Sequence, residues 1–98
     1  MEFLVNIKVN FPHEVSDARR TELLKAEAER AKELADEGKL MRLWRVPGRR
    51  ENFGLWRAGN ATELHGALAS LPLFPFLDIA VVPLATHHAD PQQVDGHS

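Results

Sequence analysis

From Glu2 to Phe11 the side chains alternate with a period of two: Phe3, Val5, Ile7, Val9 and Phe11 on one side, Glu2, Leu4, Asn6, Lys8 and Asn10 on the other. That is the period of a strand with one buried face, and Pro12 ends it. From Ser16 to Glu37 the period changes to that of a helix. At about 100° per residue, Leu23, Ala31 and Leu34 form one stripe, with Leu24, Ala28 and Ala35 along its edge. Ser16 is placed to cap the amino end, and Gly38 stands where a helix is commonly stopped. Leu40 to Val46 then reads as a strand, with Leu43 and Arg45 on one face and Arg42, Trp44 and Val46 on the other. Pro47 and Gly48 make a turn or a bulge. Arg50 to Arg57 resumes strand alternation, Phe53 and Leu55 opposed to Asn52, Gly54 and Trp56, so the two strands form a hairpin.

A second helix is expected over Ala61 to Leu71, with Leu64, Leu68 and Leu71 as its stripe, His65 at the border, and Asn60 and Glu63 at the spacing of a capping box. Pro72 and Pro75 forbid regular helix in Leu71 to Phe76, which becomes a compact apolar loop. Leu77 to Leu84 is a last strand, and Pro83 sends its end to an edge or beyond the paired region. The order strand, helix, strand, strand, helix, strand is the α+β, ferredoxin-like βαββαβ arrangement. It predicts a four-stranded antiparallel sheet with two helices on one face. The other face is left to be covered, commonly by a second copy, so an oligomer is expected. We divide the chain into a domain over 1–86 and a carboxy-terminal tail over 87–98, polar and short of apolar anchors.

One residue disturbs this pattern. Glu27 falls inside the apolar stripe of the first helix, whereas Glu22, Glu29, Glu33 and Asp36 lie away from its centre among Arg and Lys. Burying a charged carboxylate costs several kcal/mol unless it is paired, so Glu27 is partnered, neutralised or lining a cavity. Pairing with an arginine from the sheet is the structural alternative to a role in chemistry.

Composition narrows the classes. A chain of 98 residues holds one core, and a formal charge of -2 supplies no basic field for nucleic acid. No apolar run approaches the 18 or so residues of a membrane span, and the amino terminus lacks the pattern of a signal peptide. With 0 cysteines there are no disulfides and no thiolate chemistry, which suits a cytoplasmic location. His87, His88 and Asp90 with His97 lack the spacing that converges on one ion, so no metal is expected.

The runs LWRVPGR at 43–49 and ELHGALASLPLFPFLDI at 63–79, with Glu27 in the first helix, resemble the muconolactone isomerases of catechol degradation. The similarity extends from Phe3 to His87. It implies a ferredoxin-like subunit, a homodecamer, and isomerisation of muconolactone to 3-oxoadipate enol-lactone without a cofactor. In that reaction a base removes the ring proton at the carbon bearing the carboxymethyl arm, and a proton is returned beside the carbonyl. Glu27 is the expected general acid/base. His65 is the second catalytic candidate, as a donor to the lactone carbonyl or a relay. Arg45 or Arg49 would bind the substrate carboxylate, with Arg42 and Arg50 as further candidates. Trp44 would form a pocket wall, and Ser70 with the backbone around Leu71 to Pro75 would place a donor near the developing enolate oxygen, the alternative being a shaped apolar wall that includes Phe74. Each has a structural alternative, a salt bridge for an arginine or interface packing for Trp44. The tail would cover a neighbouring subunit's site. Arg50 stands where typical members have tyrosine, Arg42 near a histidine and Leu24 near a lysine, which leaves the lactone's substituents open. A chloromuconolactone dehalogenase of the same fold and a non-catalytic ferredoxin-like binding module are the rival readings.

Overall fold

Six regular elements follow one another in a computed structural model that describes residues 1–92: β1 (Glu2–Val9), α1 (Asp17–Asp36), β2 (Leu40–Arg45), β3 (Glu51–Arg57), α2 (Ala61–Ala69) and β4 (Leu77–Leu84), with a 3₁₀ turn at Phe74–Phe76. The strands form one antiparallel sheet in the order β2-β3-β1-β4. β4 is an edge strand, and this is where Pro83 sits, opposite Phe3.

The helix ends form where local chemistry asks for them. The Ser16 hydroxyl accepts from the Arg19 N–H at 3.1 Å, and Gly38 takes φ of 79° just past the carboxy end of α1, a conformation in which a side chain would be strained. Asn60 Oδ1 accepts from the Glu63 N–H at 2.9 Å. The return bond of the capping box is displaced by one residue, since Glu63 Oε1 accepts from the Gly59 N–H at 3.2 Å. α2 stops at Ala69, two residues short of the expected Leu71, because a residue preceding proline is driven out of the helical region and Leu71 precedes Pro72. β1 likewise ends at Val9, β2 ends at Arg45 and β3 begins at Glu51, each a residue or two inside the expected bounds. A register shift lies in β2 between Leu40 and Arg42, not at Pro47 and Gly48, which form a tight turn with Gly48 at φ of 77°.

Phe3, Val5 and Ile7 of β1 and Trp56 of β3 pack against Leu34 of α1 and Leu64, Ala67 and Leu68 of α2. Leu71 and Leu73, from the proline-rich loop, are buried beneath the helices. Truncating a fully buried leucine such as Leu34 to alanine should cost about 2–5 kcal/mol. Gly54 is required by close approach: a Cβ there would stand 2.7 Å from Trp56 Nε1.

Among the described residues no helix covers the opposite face of the sheet. Register places Trp44 beside Phe53 and Val82 beside Leu4 there, and Trp44 and Val82 are 42% and 53% exposed. Arg42 lies over the Trp44 ring at 4.9 Å. After β4, Ala85 to Gln92 are exposed and His87 stacks on His88 at 4.8 Å. The remainder of the expected tail, residues 93–98 with His97, lies outside the described residues.

Candidate active site

Glu27 sits on α1 one turn beyond buried Leu23 and one turn before Ala31, so its carboxylate is directed beneath the helix. There it meets the proline-rich loop and not an arginine. The Leu73 N–H donates to Glu27 Oε1 at 3.0 Å. That N–H is free because Pro72 and Pro75 interrupt the helical ladder, leaving Leu73 between the end of α2 and the 3₁₀ turn. Among the described residues no cation stands within ion-pair distance of Glu27. Burial pushes the Glu27 carboxyl above the ordinary glutamate range, and the Leu73 hydrogen bond opposes the shift without cancelling it.

The carboxylate borders a cavity of about 650 Å³ between the amino-terminal half of α1 and the sheet. Ile7, Leu24 and Leu73 give it apolar walls; Arg20, Arg45, Arg50 and Asn52 bring polar groups to it. Arg20 is held by the β1–α1 loop, its Nε donating to Val15 O and one terminal nitrogen to Pro12 O, both at 3.2 Å. Arg45 and Asn52 are cross-strand neighbours on the helix-bearing face. Arg45 has no ion-pair partner among the described residues and is therefore available to an anion entering the cavity. Asp17 and Glu51 also line the cavity, Glu51 accepting a hydrogen bond from Asn6 Nδ2 at 2.9 Å. The apolar walls, the half-buried Glu27 and the three arginines together can bind an anionic small molecule and move a proton on it.

The remaining residues singled out in the sequence lie elsewhere in the single chain. His65 is exposed on α2 and lines a separate groove with Leu68, Phe74 and Val81. Its ring meets Phe74 edge-on at 6.0 Å. Ser70 Oγ donates to Ala67 O at 2.6 Å and accepts from Arg30 Nε at 3.0 Å. Trp44 is on the uncovered face of the sheet, and Arg49 is exposed in the β2–β3 turn. Two participants were not singled out, Arg20 and Asn52; the backbone around Leu71 to Pro75 was expected to offer a donor to the enolate, and its Leu73 N–H is instead bonded to Glu27. Asn52 left a signal, being a polar residue on the face of β3 that carries Gly54 and Trp56.

Comparison with known proteins finds relatives over nearly the whole chain. A family model for muconolactone delta-isomerase matches residues 1–90. The muconolactone delta-isomerase of Cupriavidus pinatubonensis is 40% identical over 87 residues, covering 89% of this chain and 95% of that one. The one from Pseudomonas aeruginosa is 39% identical, covering 92% and 98%. The crystal structure of a muconolactone isomerase superposes with a TM-score of 0.86 at 35% identity, over 93% of this chain and 95% of that one. A 5-chloro-2-hydroxyhydroquinone dehydrochlorinase from Burkholderia phenoliruptrix, at 15% identity and a TM-score of 0.65 over 89% and 96%, shares the fold alone. With a matching family model, relatives at this identity and the same fold, the chain belongs to the muconolactone delta-isomerase family.

Proposed function

We propose that this protein isomerises muconolactone to 3-oxoadipate enol-lactone by a cofactor-free 1,3-proton shift, with Glu27 as the general acid/base. The observation that carries the reading is the half-buried Glu27 carboxylate, held by the Leu73 N–H at the edge of a cavity that also presents Arg45. The names of the relatives supply the substrate.

Arg45 pairs with the substrate's carboxymethyl carboxylate and sets the ring beneath α1. The hydrogen bond from Leu73 fixes Oε1 and leaves Oε2 to the ring. Oε2 takes the proton from the carbon bearing the arm, and the C–H electron pair moves through the ring to the carbonyl oxygen, giving a dienolate. The neutral carboxyl then delivers the proton to the carbon beside the carbonyl, and the ring double bond has moved. A base lifted toward the operating pH removes a carbon-bound proton more readily than an ordinary solvated glutamate, while its conjugate acid still reprotonates the dienolate.

The proposal extends to assembly and location. The uncovered apolar face around Trp44, Phe53 and Val82 supports a homo-oligomer, for which the family resemblance suggests a decamer. In that assembly the described part of the tail, 87–92, leads toward a neighbour's site, and His65 or Trp44 meets a Glu27 cavity only if it is a neighbour's. No helix among the described residues is long and apolar enough to cross a membrane, and a cytoplasmic location suits a chain without cysteine.

The test is purified protein with muconolactone in deuterated buffer and no added cofactor, followed by ultraviolet absorbance and NMR. Conversion is expected, with less than full deuterium incorporation beside the carbonyl because one shielded carboxyl carries the proton. Absence of conversion overturns the reading; chloride release from a chlorinated lactone under the same conditions would replace it with a dehalogenase.

A further inference from the structure

The proposed reaction develops negative charge on the lactone carbonyl oxygen, and neither Glu27 nor an Arg45 occupied by the substrate carboxylate neutralises it. Several nearby donors are already committed. The Leu73 N–H serves Glu27, the Thr21 hydroxyl donates to Asp17 O at 3.0 Å, and Arg20 is tied to the carbonyls of Val15 and Pro12. Ser70 is engaged with Ala67 and Arg30, and His65 lies in the other groove. Arg50 lines the cavity from an exposed position at the start of the β2–β3 turn's return strand.

Asn52 is different. It is half-buried in β3, paired across the sheet with Ile7 on one side and Arg45 on the other, so it forms the floor of the cavity opposite α1. Its Oδ1 is shut off from solvent and accepts no hydrogen bond, and its amide nitrogen donates to none of the described residues. A buried amide oxygen without a partner is rare in native proteins, where an apolar side chain would fill the place without loss. The amide nitrogen is not shut off in the same way, so the residue presents a donor to the cavity as it stands.

We infer that the Asn52 amide donates a hydrogen bond to the lactone carbonyl oxygen and holds that oxygen as it becomes the dienolate anion. The inference rests on the isomerase reading above. No proton leaves Asn52: the C–H bond breaks to Glu27, the electron pair moves to the oxygen, and the amide remains neutral. Strands about 4.8 Å apart place Asn52 beside Arg45, so one end of the substrate lies at the arginine and the ring lies over the amide, with Glu27 above. A neutral donor on a desolvated floor strengthens its bond most when the charge appears, which accelerates the chemical step and not substrate binding.

Steady-state kinetics on muconolactone with the full-length protein, Asn52→Ala and Asn52→Asp provide the test, with circular dichroism to establish folding. Asn52→Ala should lower kcat by about 10²–10³-fold with KM changed only a few-fold. Asn52→Asp keeps the shape but sets an anion beside the dienolate, so its kcat should fall below that of Asn52→Ala. A purely structural role gives the reverse order, with the isosteric variant the milder. If the alanine variant does not fold, Asn52→Asp against the parent decides alone. A parent that turns over muconolactone while Asn52→Asp retains kcat within about threefold overturns the Asn52 assignment and leaves the isomerase reading standing. A parent with no turnover overturns both.

Discussion

Two grooves flank the helical layer, and each contains a side chain able to move protons. In the first, Glu27 hangs from α1 over a floor that includes Arg45 and Asn52, half-buried, with one oxygen held by a backbone N–H. In the second, His65 stands exposed on α2 among Leu68, Phe74 and Val81, its closest ring contact an edge of Phe74. Histidine is the residue type better suited to proton transfer near neutrality, yet among the described residues the groove around it brings no second polar side chain. Residue type is a weaker guide than convergence: burial that shifts a carboxyl, a fixed donor that orients it, and an arginine free to hold an anion occur together in only the first groove.

The largest effect that would break this contrast is at Glu27. Glu27→Gln should reduce kcat by about 10³-fold or more while the far-ultraviolet spectrum is retained, since the amide oxygen can still accept from Leu73 but cannot take a proton. Near-full activity in that variant would remove Glu27 from the chemistry. Arg45→Ala should raise KM about 10–100-fold with a smaller change in kcat, as expected for the loss of a charge-assisted pair to the substrate carboxylate. An unchanged KM would return Arg45 to the surface.

The pH dependence sharpens the comparison. The Glu27 carboxyl is shifted upward by burial, so kcat/KM should rise with pH through an inflection above the ordinary glutamate value of roughly 4.3. Stability has the opposite sign. The folded state holds the Glu27 proton more tightly than the unfolded chain, so the contribution of this group is fully present below the unfolded pKa and is lost as pH rises through the folded one. Thermal melts of Glu27→Gln and the parent should therefore diverge in favour of the variant as pH increases from about 4 toward neutrality. A constant difference across that window would contradict the burial of the carboxyl.

Smaller effects concern the surfaces outside the first groove. Phe53→Glu should lower the mass measured by light scattering, because a charge on the uncovered sheet face opposes its burial against another copy. His65→Ala should leave kcat within about twofold, the range of an ordinary surface substitution. A hundredfold loss would instead put His65 of one copy over the Glu27 cavity of another.

Much of the fold was legible in the chain because the information is local. Alternation of period two marks β1 and β3, and an apolar stripe of period 3.6 marks α1. Ser16 and Asn60 cap their helices by bonds to residues three positions on. The oddity of Glu27 was also local, an acid inside an apolar stripe. Only tertiary structure decided what that acid meets. Its donor, the Leu73 N–H, is 46 residues away, exposed by two prolines whose effect on the direction of the chain no periodicity encodes. The placement of Arg45 beside Asn52 depends on strand register, and the separation of His65 from Glu27 depends on where α2 lies across the sheet. A hydrophobic pattern specifies which face of an element is buried, because burial is non-directional. Which polar groups converge at the edge of that burial is set by packing between elements distant in sequence, and it is there that the proposed chemistry resides.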